Sequence, residues 1–460
     1  MAQKHKLPGL FYIDLWPLGP EQLIITDPAF ANEYVTARKL PKHQLVATYL
    51  DPIVGKGNII ACNGPRWKRL HDMLAPAFSA AQTFEMTGLI AEEAKVFHEL
   101  IGKKVLYRDA ILLEPMISAL AFDIIFKLIF GMPANAQTKR SRDLENLNTI
   151  VEREFAIRNS WNPFTRRHLD QDKRVAIKCL DKSIVSQVQG RFDEIKRDNI
   201  DLSQKRGLSI IDLILREQIQ VATSASLDSD FMELAVNNIK ALFLAGSGTI
   251  TDTLCFTFML LSVHPAILSE LRDEHARVFS SDFDTIHTTL QNNPQKLKEL
   301  EYTTKVLREA LRIYPIGNTG RAPDNPGYIT YNGKQYPIKA NTLICPVQHT
   351  WQMSEKIFPQ PDSFNPDRWT NMDKAGTIAW RPFERGNRAC IGQGLAMEEM
   401  KTVLLYTVQF FHFTCYDLKP NRTPRVDWTS MDTVFGDRAF QQFLTEAKPR
   451  DGMPMTVTRV

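Results

Sequence analysis

Residues 381–400 read RPFERGNRACIGQGLAMEEM, and the meaning of Cys390 within them decides the fold. The stretch sets one cysteine between a glycine-containing loop and the start of a helix. Backbone N–H groups and the positive end of a helix favour a thiolate over a thiol at such a place. Gly386 allows a tight turn, and Gly392 allows something flat and bulky to come close. Phe383 can pack against the face of that object, and Arg388 offers a cation to an acid group on it. The plain alternative is a buried, inert cysteine, the usual fate of this residue.

The rest of the chain narrows the choice. It has 460 residues, 43% hydrophobic and 23% charged, which is material for a large core and excludes a disordered protein. A net charge of +4 is small for this length and argues against a nucleic-acid binder. The six cysteines (Cys62, Cys179, Cys255, Cys345, Cys390 and Cys415) are scattered, with no CxxC pair. Reduced thiols therefore fit better than a disulfide framework or a zinc site. The N-terminal stretch has no apolar core behind its lysines and is not read as a signal peptide. One internal run, Ala241–Val263, is long and apolar enough to span a bilayer. It carries Asp252 and a Gly/Ser/Thr centre, so a buried core helix is the better reading.

Local patterns predict a mainly helical protein with small strand clusters and no internal repeat. Leu10–Leu18 and Gln22–Thr26 read as a hairpin. Helices are expected at Pro28–Thr36, Pro65–Leu74, Ala91–Ile101, Met116–Phe130, Leu144–Arg158, Asp172–Arg197 and Ser209–Gln218. Further helices are expected at Phe231–His264, Pro265–Phe279, Gln295–Ile313 and Gly392–Phe411. Gly327–Val347 reads as strands turning at Asn332-Gly333, and 438–460 as strands around KPRDGMP.

A lone thiolate presented as Cys390 is makes a good axial ligand for haem iron. The pattern F-x-x-G-x-R-x-C-x-G matches at Phe383, Gly386, Arg388, Cys390 and Gly392. Three further elements follow the same order. LREALRIYP carries Glu309 and Arg312 at i and i+3, on one helix face, and FNPDRW carries Arg368. GPRWKRLHDML carries Trp67, and AGSGTITD carries Ala245, Gly246, Thr249 and Asp252. With these residues the chain resembles the cytochrome P450 family of haem-thiolate monooxygenases over essentially its whole length. Its phrasing is most similar to microsomal members from filamentous fungi.

The resemblance implies one catalytic domain over 1–460, mainly α with small β-sheets, with a long central helix over haem b. Cys390 would be the metal ligand. Trp67, Arg321 and Arg388 would reach the haem acid groups, with His71 standing where the family has Arg. Ala245, Gly246, Phe383, Gly386 and Gly392 would contact the haem. Glu309, Arg312 and Arg368 would form a buried structural network. Thr249 would steer protons during dioxygen cleavage, and small residues around it would let the helix bend. The family's acid beside that threonine is missing, because position 248 is glycine; Asp252, one turn on, is a candidate substitute. Phe243, Leu244, Ile316, Phe440 and Phe443, with neighbouring Leu45–Cys62, Ile316–Thr319 and Phe440–Thr445, are expected to line an apolar substrate pocket.

The implied reaction is oxidation of an apolar small molecule, such as a fungal terpenoid or polyketide, by O2. Electrons would come from an NADPH-cytochrome P450 reductase, with cytochrome b5 as a possible second donor. Lys68, Arg69, Arg385 and Lys401 would form the basic docking surface. The protein is expected to be a monomer at the cytosolic face of the endoplasmic reticulum membrane, its family's N-terminal anchor having been removed from this chain. Trp161, Pro163 and Phe164, beside Arg166 and Arg167, are candidates for a membrane-dipping loop, with packing inside the protein as an equal alternative. The lost acid at 248 leaves a second chemistry open: rearrangement, dehydration or cyclisation without net oxygen insertion.

Overall fold

Capping residues set where many of the helices begin. Asp27 accepts from the N–H groups of Ala29 and Phe30 at 2.9 and 3.1 Å, with Pro28 in the first helical position. Ser79, Ser141, Asn162 and Asp228 do the same for Ala80–Val105, Arg142–Asn159, Pro163–Asp198 and Ser229–Leu261. The computed structural model describes residues 5, 7–106, 109–203, 207–221, 226–444 and 446–460, with backbone alone at 217, 220 and 221.

The helical pattern holds with instructive departures. The segment from Pro28 widens after Phe30 into a π-helical turn, Ala31–Ala37. The stretch expected as one helix at Gln295–Ile313 is broken at Leu300, whose backbone leaves the helical region. A 3-10 turn, Pro294–Glu299, precedes the helix Glu301–Ile313. Among the described residues, two helices of ten residues or more lay outside the sequence reading, Gln44–Val54 and Phe283–Asn292. The first hides behind an internal proline, Pro52.

The sheets are small. Leu10–Ile13 pairs antiparallel with Gln22–Ile25, which pairs parallel with Leu343–Pro346. Gly327–Tyr331 and Lys334–Ile338 form a hairpin, and its Asn332 and Gly333 both have positive φ, as this turn requires. Near the C-terminus, Phe411–Cys415 pairs with Pro454–Arg459, and Gln442–Phe443 with Ala447–Lys448.

The central helix, Ser229–Leu261, is the axis of the core. It is the one helix among the described residues long and apolar enough to cross a membrane, and most of it is buried inside the protein. It stays helical through its Gly/Thr centre. Its hydroxyls stay satisfied within the helix: Ser247, Thr249, Thr251, Thr253 and Thr257 each donate to the carbonyl four residues back, at 2.7–2.8 Å, a contact that favours local bending. Gly246 has a packing reason. A Cβ there would lie 2.7 Å from Ile125 of the neighbouring helix Leu113–Phe130.

A buried carboxylate braces the segment that leads to Cys390. Glu309, 0% exposed, accepts from Arg312 Nε and Nη2 at 3.0 and 2.8 Å, and from Arg368 Nε at 2.8 Å. Trp369 Nε1 and the Asn365 N–H complete it at 3.0 and 3.2 Å. The arginines spend their other N–H groups on carbonyls of Gln352, Ser363, Pro359 and Gln360. Breaking a buried pair leaves an uncompensated charge, which costs about 3–5 kcal/mol. Glu309→Ala is therefore expected to lower unfolding free energy by about that amount in urea denaturation. A loss under about 1 kcal/mol, the range of an exposed pair, would show that the network is not a structural brace.

Candidate functional site

The cysteine loop is shaped by its own backbone. Gly386 has φ +77, and a Cβ there would lie 2.7 Å from Thr36 Cγ2. The Cys390 N–H donates to the Phe383 carbonyl at 2.8 Å, closing the loop. Gly392 then caps the helix Gln393–Thr407. Arg388 is held by the Cys62 carbonyl at 2.7 Å and lies over the Trp67 ring, 4.4 Å from its centroid.

Cys390 opens on a cavity of about 350 Å³. Trp67, His71, Phe383, Arg388 and Gly392 stand on its walls, as do Ala245, Gly246 and Thr249 of the central helix. The sulfur faces this space yet lies deep in the protein, so the residue is open to the cavity while shielded from bulk water. Burial pushes its thiol up, and the Gly392 N–H pulls it back only in part. Burial thus outweighs the helix end here, and a bound metal cation would supply the stabilisation that a thiolate needs.

The opposite requirement appears a short way off. Lys42, which lines the cavity, is brought down to about 7 by burial and then by the charge of Arg321. Arg388 is brought down to about 10 by burial and again by Arg321. Burial also lowers Arg321. Arg321 Nε and Arg388 Nη1 are buried with no hydrogen-bond partner among the described residues. Glu384 is the carboxylate whose charge offsets Lys42 and Arg321. Such desolvated, mutually repelling cations favour an acidic guest. A flat cofactor bearing acid groups at one edge and a thiolate-seeking metal at its centre fits these residues.

Several expected pocket residues lie elsewhere. Phe243 is fully buried among Phe122, Phe126 and Phe130, with ring centroids at 5.1, 5.8 and 6.1 Å. Leu244 is also core; Ala241 and Leu242 face the cavity instead. Phe440 packs on Trp428 and under Arg425, and Phe443 is exposed beside Tyr49. Gly386 shapes the loop without lining the cavity, and Arg321 is buried beside Lys42, paired with it through the backbone. Ile316, Gly317, Asn318 and Thr319 do line it, as do Ile59, Ile60 and Ile125. Thr445 lies outside the described residues. Asp252 is fully buried off the cavity wall. Lys401, expected on a basic surface, is buried and bonded to the Leu297 carbonyl and Glu398, both at 2.8 Å. Sequence reasoning missed Lys42 altogether, because no local pattern marks it.

Comparison with known proteins places these features in one group. The profile of the family described as Cytochrome P450 matches residues 6–431. The cytochrome P450 monooxygenase acrF of Aspergillus aculeatus is 29% identical, over 99% of this chain and 95% of its own. The cytochrome P450 monooxygenase polC of Polytolypa hystricis is 26% identical, over 99% of this chain and 82% of its own. The crystal structure of the cytochrome P450DA haem domain superposes with a TM-score of 0.76 at 19% identity, over 100% of this chain and 91% of that one.

The cation cluster makes a measurable prediction. Burial depresses Lys42, so between its folded value of about 7 and its unfolded value near 10.5 the cofactor-free folded protein holds one proton fewer than the unfolded chain. An acidic guest restores that proton. At pH 8, Lys42→Met should release about one more proton per haem bound than wild type does. Calorimetry in two buffers of different ionisation enthalpy reads the difference; equal proton counts would remove Lys42 from the site.

Proposed function

This chain belongs to the cytochrome P450 family of haem-thiolate monooxygenases, and we propose that it oxidises an apolar small molecule of fungal secondary metabolism. The observation that carries the substrate class is the cavity wall opposite Cys390. Ile60, Ile125, Leu242, Ala245, Ile250 and Ile316 are apolar or small, and Thr249 and Thr253 are the polar side chains that the central helix adds to the wall. Such a wall selects by shape and excludes water, with few polar groups to fix orientation.

Bound haem supplies the iron chemistry that activates dioxygen. The chain's residues do the rest. Cys390 would hold the metal through its sulfur. Lys42, Arg321, Arg388, Trp67 and His71 would hold the acid groups of the ring. Thr249 keeps its hydroxyl proton on the Ala245 carbonyl at 2.8 Å, leaving its oxygen free to accept from the cavity. The whole chain is read as one catalytic domain.

Electrons would come from an NADPH-dependent flavoprotein reductase. Lys68 and Arg69 are exposed on the surface near Trp67, and Arg385 is half-buried, donating to the Thr377 carbonyl. Membrane association is supported by Trp161 and Phe164, 98% and 84% exposed, on a turn continued by exposed Arg166 and Arg167. Packing inside the protein does not account for those two aromatics. This reading puts the protein at the cytosolic face of the endoplasmic reticulum.

Three measurements test these assignments. The haem-loaded, reduced protein should give the long-wavelength Soret band of a thiolate-bound carbon monoxide complex, and Cys390→His should lose it. Labelled O2 should leave one labelled atom in the product; a product free of label would favour the rearrangement chemistry instead. Replacing Trp161 and Phe164 by serine should weaken binding to phospholipid vesicles roughly ten-fold or more, and unchanged binding would remove that turn from the membrane contact.

A further inference from the structure

Gly248 leaves the central helix without the acid that its family carries beside the threonine, yet the space is not empty. A Cβ built on Gly248 would lie 2.1 Å from Glu446 Oε1 and 2.9 Å from its carboxyl carbon. Glu446 comes from the turn between the strands Gln442–Phe443 and Ala447–Lys448, almost two hundred positions later in the chain. Its carboxylate occupies the volume that an acidic side chain at 248 would fill.

The hairpin is anchored in that position. The Ala447 N–H donates to the Ile316 carbonyl at 3.0 Å, and the Leu444 N–H to the Glu446 carbonyl at 2.9 Å. Gln441 reaches the Pro315 carbonyl at 3.2 Å, and Tyr49 donates to the Leu444 carbonyl. Glu446 is only half-buried, so water can reach it from outside.

One turn along the helix from Gly248 lies Asp252. It is fully buried, and neither carboxyl oxygen has a hydrogen-bond partner among the described residues. An ionised carboxylate cannot remain in that condition without cost, so the group holds a proton. Burial pushes it well up, and the neighbouring charge of Glu446 pushes it further. Lys448 and Glu114 complete the surroundings, paired to each other at 2.5 Å. On the helix itself Cys255 faces the same group, its thiol raised by burial and then by Asp252. Tyr49 faces Glu446 from the helix Gln44–Val54, with Arg158 3.9 Å over its ring and Glu154 bonded to Arg158.

We propose that Glu446 supplies from the C-terminal hairpin the acid that position 248 lacks, and that it works with Asp252 to pass protons toward Thr249. No electrons move in this step. A proton passes from a carboxyl group to the oxygen of a water held at Thr249 Oγ1, and water at the half-buried face of Glu446 returns one to the carboxyl pair. The proposal rests on the oxygenase reading above. Incorporation of labelled O2 checks that reading separately, so a protein that labels its product and shows an unaffected relay would fail the proposal alone.

The test uses the haem-loaded full chain with NADPH and a flavoprotein reductase, without added substrate. Glu446→Gln should slow O2 consumption about ten-fold or more, as loss of a proton-transfer group does. It should also raise the H2O/D2O rate ratio, because proton supply becomes limiting. Gly248→Asp/Glu446→Ala returns the acid to the helix and should recover most of the rate and the wild-type ratio. A readout independent of turnover is the infrared band of protonated carboxyl groups. One component should vanish in Asp252→Asn, and in Glu446→Gln it should ionise at lower pH, the raising charge being gone. An unchanged isotope ratio in Glu446→Gln, or an Asp252 band that titrates as in wild type, would overturn the proposal.

Discussion

The structure depends on one buried carboxylate. Glu309 takes five donors from two segments of chain, and none of those donors can be withdrawn without leaving charge or polarity stranded. From it a line of hydrogen bonds runs to the metal ligand. Arg312 donates to the Gln352 carbonyl, and Gln352 Oε1 accepts from the Arg381 N–H at 3.2 Å. Arg381 opens the loop in which the Phe383 carbonyl holds the Cys390 N–H. Two indoles tie the same region: Trp351 donates to the Ala379 carbonyl at 2.7 Å, and Trp380 to the Arg308 carbonyl at 3.0 Å. An apolar cluster of equal volume could match this stability. It would not dictate the direction in which residues 359–381 cross the helix, and the sulfur's position follows from that direction.

With the loop fixed, the cavity's electrostatics follow from what is buried around it. At one edge Lys42, Arg321 and Arg388 repel one another in poor solvent, a strain that acid groups of a guest relieve. At Cys390 burial opposes the thiolate that a metal would stabilise. Both ends of the site are therefore uncomfortable without the cofactor and comfortable with it. Binding energy and folding energy become coupled quantities in such a protein.

What was legible in the sequence was what depends on short-range spacing. Cys390, Arg388 and Gly386 act within one turn of loop, Glu309 and Arg312 within one turn of helix, and residue order alone exposes both. The pocket was less legible, because helix phase was not applied strictly. Residues advance about 100° each around a helix. Ala245, Leu242 and Ala241 therefore share a side with Thr249, while Phe243, six positions before it, turns away into the Phe122–Phe126–Phe130 cluster. Asp252, a candidate for the missing acid, is fully buried off the wall although its phase, three residues after Thr249, is close to that of Ala245, so phase alone does not account for its place. Lys42 and Glu446 were invisible for a different reason. Each reaches its place through space, from a segment whose own sequence carries no pattern.

Position 248 shows how such a through-space substitution is maintained. A side chain there and the carboxylate of Glu446 exclude each other, since they claim the same volume. Glycine at 248 is thus a condition for the hairpin acid, and the hairpin acid makes the glycine tolerable in a reaction that needs protons. The exchange also changes what the acid is attached to. An acid on the central helix would be held by a buried, unbroken element; Glu446 rides on a two-residue-strand hairpin whose Ala447 is bonded to Ile316, a residue of the cavity wall. Whatever presses on Ile316 presses on the element that carries the acid. Proton supply and cavity occupancy then share one mechanical connection, which a helix-borne acid would not give.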